Sequence, residues 1–118
     1  MRLYGIDCPE KGQDYANVAK DFMARLIAGK IVEVRTKNTD RYGRKIGMVF
    51  MDGVNVNEAL LKNGLAWHFK KYDKNVAWAE LENKAKSQKL NIWSIANPVS
   101  PWEWRKNKAA LKKLPVSN

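Results

Sequence analysis

The pattern of apolar and polar positions along the chain predicts short strands interrupted by helices. Apolar residues recur at helical spacing in three segments, which are residues 14–28, 57–62 and 76–89. Alternating or continuous apolar runs predict three strands, at residues 2–6, 30–36 and 44–51. The dipeptide Asp52-Gly53 follows the last of these strands and is typical of a hairpin turn. Helices placed between and after strands favour an α+β fold.

The composition is typical of a globular protein and excludes several other classes. Of the 118 residues, 45% are hydrophobic and 29% are charged, a balance that disordered chains lack. The longest apolar runs, such as residues 48–51, are far shorter than the roughly 20 residues of a membrane span. The single cysteine, Cys8, excludes an internal disulfide, and with His68 as the only histidine it excludes the usual zinc sites. The chain shows no signal peptide.

The charge balance predicts an anionic partner. Lysine and arginine number 22 against 12 aspartate and glutamate residues, which gives a net charge of +10. Such an excess suits nucleic acid, an acidic membrane surface or an acidic protein. Charge alone does not distinguish these partners from a merely basic, soluble surface.

Two clusters of charged residues are candidates for chemistry on a phosphate. Arg2, Asp7 and Glu10 lie in the first predicted strand and in the loop after it. Two carboxylates and a guanidinium could bind a hard cation and polarise a phosphate, although acidic residues are also common in turns. The second cluster is residues 40–44 (DRYGR), where the planar fork of arginine suits phosphate. A polar hairpin loop is the alternative interpretation of this segment.

A third segment combines aromatic and basic residues over positions 67–72 (WHFKKY). This pattern suits bases that stack on rings while the backbone follows positive charge, but a core strand that runs into a solvated loop looks the same. His68 is the general-base candidate by residue type, yet its apolar neighbours favour a packed histidine. Cys8 has no evident base, so a catalytic thiol is not expected. Three tryptophans are interpreted as packing residues rather than stacking platforms: Trp93, Trp102 and Trp104.

Taken together, the motifs resemble staphylococcal (micrococcal) nuclease and its thermonuclease-like relatives. The matching segments occur in order along most of the chain: RLYGIDCPE (2–10), DRYGR (40–44), VNEAL (56–60), GLA (64–66), KLNIWS (89–94) and PWEWR (101–105). The resemblance implies an OB-fold β-barrel with three helices. It also implies cleavage of DNA and RNA phosphodiester bonds with calcium and with little sequence specificity.

The resemblance also implies roles for particular residues. Arg2 and Arg44 would hold the reacting phosphate, and Glu10 would be the general base for the attacking water. Asp7 would supply a calcium carboxylate, and the backbone carbonyl of Cys8, where relatives often carry threonine, would be another ligand. These assignments agree with general chemistry, because guanidinium groups and a hard cation stabilise the charge that builds up on phosphorus.

The resemblance extends to substrate binding. Four residues would contact the nucleotide: Arg41 and Tyr42 at its terminal phosphate, and Lys70 and Tyr72 beside its base. Lys70 is a departure, since the best-known member has a tyrosine at the matching position. The change is expected to alter stacking and not the bond that is cleaved.

A second departure concerns the start of the domain. The family's barrel begins with two further strands and an Asp-Gly-Asp-Thr-like turn with another calcium carboxylate, whereas here Met1 directly precedes Arg2. We therefore expect a fragment or a start that lies upstream, and a partial barrel. Exposed strand edges and an uncovered core face, formed by Leu3, Ile6 and Val49, would then favour self-association or aggregation.

The expected organisation is one domain over residues 1–105 and a basic, flexible tail over residues 106–118. Two hypotheses compete with a nuclease. The first is a non-catalytic OB-type module that binds nucleic acid, or an inactive nuclease fragment. The second is a basic domain that binds anionic membranes or proteins. Retention of Glu10 beside the arginines favours enzyme ancestry, because a pure binder has no need of a carboxylate next to phosphate.

Overall fold

A computed structural model describes residues 2–70 and 73–113, with side chains as far as Ala109. The described elements are short strands and four α-helices, with one 3-10 helix at Asn91–Ser94. The strands are β1 (Arg2–Leu3), β2 (Ile6–Asp7), β3 (Val32–Thr39), β4 (Lys45–Met51), β5 (Val54–Asn55) and β6 (Trp67–His68). The α-helices are α1 (Ala16–Ile27), α2 (Val56–Lys62), α3 (Val76–Ser87) and α4 (Pro101–Lys113). The predicted α+β class is confirmed.

Strand β4 is the centre of a four-stranded sheet. β3 pairs with it antiparallel along one side, from Val32 opposite Met51 to Thr39 opposite Lys45. On the other side, β1 pairs parallel with the start of β4, and β5 pairs antiparallel with its end. β2 and β6 form a separate two-stranded antiparallel sheet. The described strands thus form two sheets and do not close the barrel that the resemblance implies.

Several predicted elements differ from the structure near their ends. The predicted strand at residues 2–6 is two strands, because the chain turns at Tyr4 and Gly5 between β1 and β2. Gly5 has φ +72°, and a Cβ atom there would lie 2.8 Å from the Trp78 ring. β3 continues beyond the predicted strand end at residue 36 as far as Thr39. The hairpin turn after β4 is confirmed, with positive φ at both of its residues, Asp52 (50°) and Gly53 (78°).

Helix α4 corrects the expectation of three helices. Ser100-Pro101 suggests a chain break in the sequence, but proline suits the first position of a helix because that N–H needs no partner. The Ser100 hydroxyl accepts the backbone N–H of Glu103 at 3.3 Å and so caps the helix. α4 extends to Lys113, so the predicted domain boundary at residue 105 falls inside a helix. The first part of the predicted flexible tail is helical.

The main hydrophobic core lies between the larger sheet and helices α1, α2 and α3. The expectation of an uncovered core face is wrong for two of its three residues: Ile6 is 3% exposed and Val49 is 6% exposed, while Leu3 is half-buried. The reason is that α2 packs on β4 and α3 packs on α2, which covers this face. No helix within the described residues has the length and apolar character that crossing a bilayer requires.

The buried side chain of Asn57 joins α2 to the strands that carry the charged residues. Its Oδ1 accepts the N–H of Val49 at 3.3 Å. Its Nδ2 donates to the carbonyls of Tyr4 at 3.1 Å and Gly47 at 3.3 Å. An unsatisfied buried amide or carbonyl would cost about 1–3 kcal/mol, so these bonds hold the turn after β1 against β4.

Candidate active site

A groove of about 630 Å³ lies between β1, the turn after it and the loop between β3 and β4. Its lining includes four of the residues predicted to act on phosphate: Arg2, Arg41, Tyr42 and Arg44. Phe69, which follows β6, also lines it. The pairing of β1 with β4 brings Arg2 opposite Ile46, two positions from Arg44. Sheet register therefore gathers arginines that are distant in sequence.

Asp40 organises the loop that carries Arg44. Its Oδ1 accepts the N–H groups of Tyr42 and Arg44, both at 2.9 Å, and its Oδ2 accepts the Arg44 Nε–H at 2.8 Å. Partial burial acts to raise the pKa of Asp40, but these backbone and guanidinium donors lower it below its ordinary value. The carboxylate thus stays ionised and fixes the direction of Arg44.

The ring of Tyr42 contacts two guanidinium groups. Arg41 is 5.2 Å and Arg44 is 5.4 Å from its centroid, within the range of cation–π contacts. Tyr42 is 70% exposed, so the ring and both cations face solvent along the groove. This arrangement can receive a phosphate and an adjacent planar group at the same time.

The acidic loop directly follows the groove-lining residues 2–6 and is bound by two arginines. Arg2 Nη2 is 3.5 Å from Asp7 Oδ1, which links the groove to the buried Asp7 carboxylate. Arg105 of helix α4 donates to Asp7 Oδ2 at 2.8 Å through Nη2, and to Glu10 Oε1 through Nη1. Partial burial acts to lower the pKa of Arg105, but its bonds to Asp7 and Glu10 raise it above its ordinary value. The structure therefore brings Arg2, Asp7 and Glu10 together, as the sequence predicts.

Arg105 belongs to this cluster, although the sequence analysis gave it no role in the site. It lies 98 positions from Asp7 and 95 from Glu10, so no local spacing indicates the contact. The signal available in the sequence was the PWEWR motif, which the resemblance places at the end of the domain.

The described residues alone do not fit a calcium ion. Calcium takes about six to eight oxygen ligands, and the predicted ligands are one carboxylate and the carbonyl of Cys8. Each oxygen of the Asp7 carboxylate already faces a guanidinium group, that of Arg2 or that of Arg105. No group of three or more histidine, cysteine, aspartate or glutamate residues suited to a metal occurs in the described part of the chain.

The Cys8 thiol is not a nucleophile in this environment. Burial, together with the neighbouring charge of Asp7, raises the pKa of Cys8 to about 12. The thiol therefore stays protonated at neutral pH, and the reactive thiolate is absent. This agrees with the expectation that Cys8 is not a catalytic thiol, while the calcium-ligand role of its backbone carbonyl stays a prediction.

The predicted base-contacting segment is only partly described. Lys70 lies outside the groove lining, and its Nζ donates to Glu82 Oε1 at 2.8 Å. Tyr72 falls outside the described residues, so its predicted role stays a prediction. Phe69 lies in the groove and stacks on Trp102, with centroids 4.9 Å apart and planes inclined by 16°. Phe69 therefore adds an aromatic ring to the groove beside Tyr4 and Tyr42, and the sequence interpretation gave it no separate role.

His68 and Trp93 are packing residues in the described structure. His68 is 3% exposed, and its Nε2 hydrogen-bonds to Asp73 Oδ2 at 2.7 Å. The expectation of a packed and hydrogen-bonded histidine is confirmed for its packing and for Nε2, whereas the buried Nδ1 has no hydrogen-bond partner among the described residues. Trp93 is 8% exposed and makes an edge contact with Trp67, at a centroid distance of 4.5 Å.

Comparison with known proteins identifies the family of the chain. The sequence model of the family described as Staphylococcal nuclease homologue matches residues 1–95. Staphylococcal-like nuclease CAN1 of Arabidopsis thaliana is 44% identical over 108 residues, which are 92% of this chain and 33% of that protein. A protein of Escherichia coli O157:H7 with the name "Uncharacterized endonuclease" is 45% identical over 109 residues, 92% of this chain and 71% of that protein.

The family match over residues 1–95 and the similar relatives define the class of protein. The chain belongs to the staphylococcal nuclease homologue family. It spans about a third of the length of plant relatives such as CAN1 and about seven-tenths of the length of the bacterial one. Arg105 lies beyond the residues that the family model matches.

Proposed function

We propose that this protein is a nuclease that hydrolyses phosphodiester bonds of DNA and RNA with little sequence specificity. The observation that carries the proposal is the convergence of Arg2, Arg41 and Arg44 on one groove. Arg2 also reaches Asp7 in the acidic loop that holds Glu10. Relatives with the names nuclease and endonuclease give independent support.

Arg2 and Arg44 are assigned to the reacting phosphate. Attack on a phosphodiester adds negative charge to a five-coordinate phosphorus, and donors already directed at that charge stabilise it most. Asp40 binds the Nε–H of Arg44, and no described residue accepts a hydrogen bond from its two terminal amino groups. Those groups are available for the two parallel bonds that arginine makes to phosphate oxygens.

Glu10 is assigned as the general base for the attacking water. A carboxylate acts as a base when it lies within hydrogen-bond reach of the water and is held in a productive direction. Glu10 is half-exposed, so water reaches it, and Arg105 binds one of its two oxygens. The other oxygen is the proton acceptor in this proposal.

The remaining predicted residues are assigned to the nucleotide. Arg41 and Tyr42 would bind a terminal phosphate, while Lys70 and Tyr72 would lie beside a base. Contacts to phosphates and ring faces read little sequence, which is consistent with action on both DNA and RNA. The OB-type fold that the resemblance implies is part of the same proposal.

Calcium is the cofactor that the resemblance implies, and a calcium requirement is the finer part of the proposal. Asp7 and the carbonyl of Cys8 are its candidate ligands. Since the described donors alone do not fit the ion, the proposed steps are carried by the side chains named above. The requirement is therefore a matter for direct measurement.

A plasmid-nicking assay tests the proposal. Supercoiled plasmid is incubated with the purified chain in calcium and, separately, in a chelator, with the Glu10→Gln variant as the inactive control. We expect the unsubstituted chain, and not Glu10→Gln, to convert the plasmid to nicked and linear forms, and the difference between the calcium and chelator reactions measures the calcium requirement. Retardation of the plasmid on a gel without nicking would identify the non-catalytic binding module instead. Activity that persists in chelator would support the nuclease and remove the calcium requirement.

A further inference from the structure

Among the described side chains, Arg105 alone hydrogen-bonds to both candidate acids. Its Nη2 donates to Asp7 Oδ2 at 2.8 Å, and its Nη1 donates to Glu10 Oε1. The Asp7 side chain is 9% exposed and that of Glu10 is 37% exposed. One guanidinium thus connects the buried carboxylate at the metal-ligand position with the half-exposed carboxylate at the general-base position.

The segment before α4 holds the same loop by its backbone. The Gln13 side chain accepts the N–H of Glu10 at 2.8 Å and donates to the carbonyl of Val99 at 2.9 Å. The Trp104 ring lies next to Gly12, since a Cβ atom on that glycine would be in ordinary van der Waals contact with it at 3.6 Å. The acidic loop therefore contacts residues 99–105 through Gln13 and Gly12. Within that segment, Arg105 binds the two carboxylates of the loop.

The chemistry of the contact requires arginine in particular. Two ionised carboxylates on one short loop repel each other and turn apart unless a cation lies between them. A guanidinium donates from two nitrogens in a fixed plane, whereas a lysine ammonium is a point charge without that fork. Arg105 consequently fixes both the separation and the direction of the two carboxylates.

We propose that Arg105 is a positioning residue, which holds Glu10 and Asp7 in the geometry that hydrolysis requires. Helix α4, beyond the residues that the family model matches, then completes the acidic half of the site. The inference rests on the proposed nuclease function and adds to it a residue and an element. Arg105 acts through the two carboxylates and is not assigned a contact with substrate.

Three substitutions at this position test the inference: Arg105→Gln, Arg105→Lys and Arg105→Ala. Lys108→Gln is the matched control, because Lys108 is exposed on the same helix and loses the same charge. For Arg105→Gln we expect kcat to fall about tenfold or more, since small misplacement of a catalytic group is costly. KM should change by less than about twofold, because binding in the groove is retained. The control should keep both constants.

Two further readouts separate positioning from general support of the fold. Arg105→Lys should stay as impaired as Arg105→Gln, although it keeps the charge. Guanidinium chloride, well below denaturing concentrations, should restore part of the activity of Arg105→Ala, and equal sodium chloride should not. Thermal unfolding by circular dichroism is recorded for every variant, and kinetics are compared below the lowest midpoint. Full activity of Arg105→Gln, or a loss that appears only in KM, would overturn the inference.

A structural readout keeps this test separate from the nuclease proposal. If the unsubstituted chain cleaves no plasmid, the proposed function fails, while the contact is still measurable by carbon-13 NMR of labelled aspartate and glutamate side chains. Arg105→Gln should move the carboxyl resonances of Asp7 and Glu10, and Lys108→Gln should leave them in place. Unmoved resonances in Arg105→Gln would contradict the positioning contact directly.

Discussion

Glu10 and Arg44 have different roles in the proposed hydrolysis, so each residue is tested by its own substitution. Glu10→Gln keeps the shape of the side chain and removes the proton acceptor, while Arg44→Ala removes a donor to the phosphate. We expect each change to lower phosphodiester cleavage by at least ~10², the usual contribution of a general base or of one charge-stabilising donor. Rates of plasmid nicking and of cleavage of a labelled oligonucleotide measure the effect.

Two exposed residues of helices supply controls for these changes. Glu80→Gln on α3 and Arg25→Ala on α1 alter the same residue types away from the groove lining. Both controls should cleave at the unsubstituted rate. Near-normal turnover of Glu10→Gln or of Arg44→Ala would remove that residue from the proposed mechanism and leave the other assignment standing.

Glu82 is a buried carboxylate whose role is structural. It is 1% exposed, and it accepts the N–H of His68 at 2.6 Å and the ammonium of Lys70 at 2.8 Å, with Lys86 at 3.3 Å. Removing one partner of a buried ionic network costs about 3 kcal/mol or more. We therefore expect Glu82→Ala to lower the free energy of unfolding in urea by about that amount. Glu80→Ala, on the exposed side of the same helix, should leave it nearly unchanged.

The effect of Glu82 should depend on pH in a definite direction. Burial acts to raise the pKa of Glu82, but the donors from Lys70 and His68 and the charge of Lys86 bring it below its ordinary value of 4.5. A carboxyl whose pKa is lower in the folded state stabilises the fold above its unfolded pKa. That contribution is lost as pH falls through the folded value. The difference in the free energy of unfolding between the unsubstituted chain and Glu82→Ala should therefore shrink at strongly acidic pH. A difference of the same size at neutral and at strongly acidic pH would contradict this assignment.

At the scale of elements, the long helices and β4 were predictable because their patterns are local. Helix α1 at Ala16–Ile27 and helix α3 at Val76–Ser87 lie within the segments predicted from apolar spacing. The sequence pattern could not distinguish the two-residue strands β1 and β2 from one longer strand. Each of them is defined by its pairing with a strand that is distant in sequence, β4 for β1 and β6 for β2. Helix α4 was missed because Ser-Pro serves both as a chain break and as a helix start.

Gly64 shows how tightly the end of α2 packs against the chain after α3. It has φ +69°, and a Cβ atom there would overlap the carbonyl oxygen of Leu90. Gly29, just after α1, is the matched control, with φ +68° and no atom within 4 Å of such a Cβ. We expect Gly64→Ala to cost about 3 kcal/mol from backbone strain and overlap, and Gly29→Ala about 1 kcal/mol from strain alone. Urea unfolding measures both, and equal losses would exclude the close approach.

Strand β3 is the exposed edge of the larger sheet, and we propose self-association through it. Within the described residues it pairs only with β4, and its side chains from Glu33 to Thr39 are exposed. An unpaired edge of this length is a template for another strand. Val34→Lys should weaken association, because a charged edge residue opposes strand pairing. Val18→Lys on α1 is the control, since Val18 is 42% exposed and Val34 is 43% exposed. A monomer at all concentrations in sedimentation would contradict the proposal.

At the scale of the whole molecule, the basic half of the site was predictable and the acidic half only in part. The motif DRYGR places two arginines and Tyr42 on one loop, and pairing of β1 with β4 adds Arg2. Asp7 and Glu10 follow from their motif as well. Arg105 was not predictable from spacing, because the fold of nearly the entire chain separates it from the acids it binds.

The net charge of +10 and the arginine-lined groove predict nucleic-acid binding that weakens steeply with salt. Each phosphate that the protein neutralises releases counterions, so log K should fall by about 0.7–0.9 per contact for each tenfold rise in salt. Fluorescence anisotropy with labelled oligonucleotides in chelator measures binding without cleavage. Oligonucleotides of different base composition should bind with similar affinity, because phosphate contacts and stacking distinguish bases poorly.

Substitution of Arg41 distinguishes binding of nucleic acid in the groove from binding over the whole basic surface. If phosphates bind in the groove, Arg41→Gln should reduce the salt slope by about one, the loss of one phosphate contact. Lys20→Gln, an exposed cation on α1 outside the groove lining, should leave the slope unchanged. Equal reductions from both changes would mean that the charge acts over the whole surface. A flat salt titration would point to a partner other than nucleic acid, because no backbone of phosphates would then be neutralised.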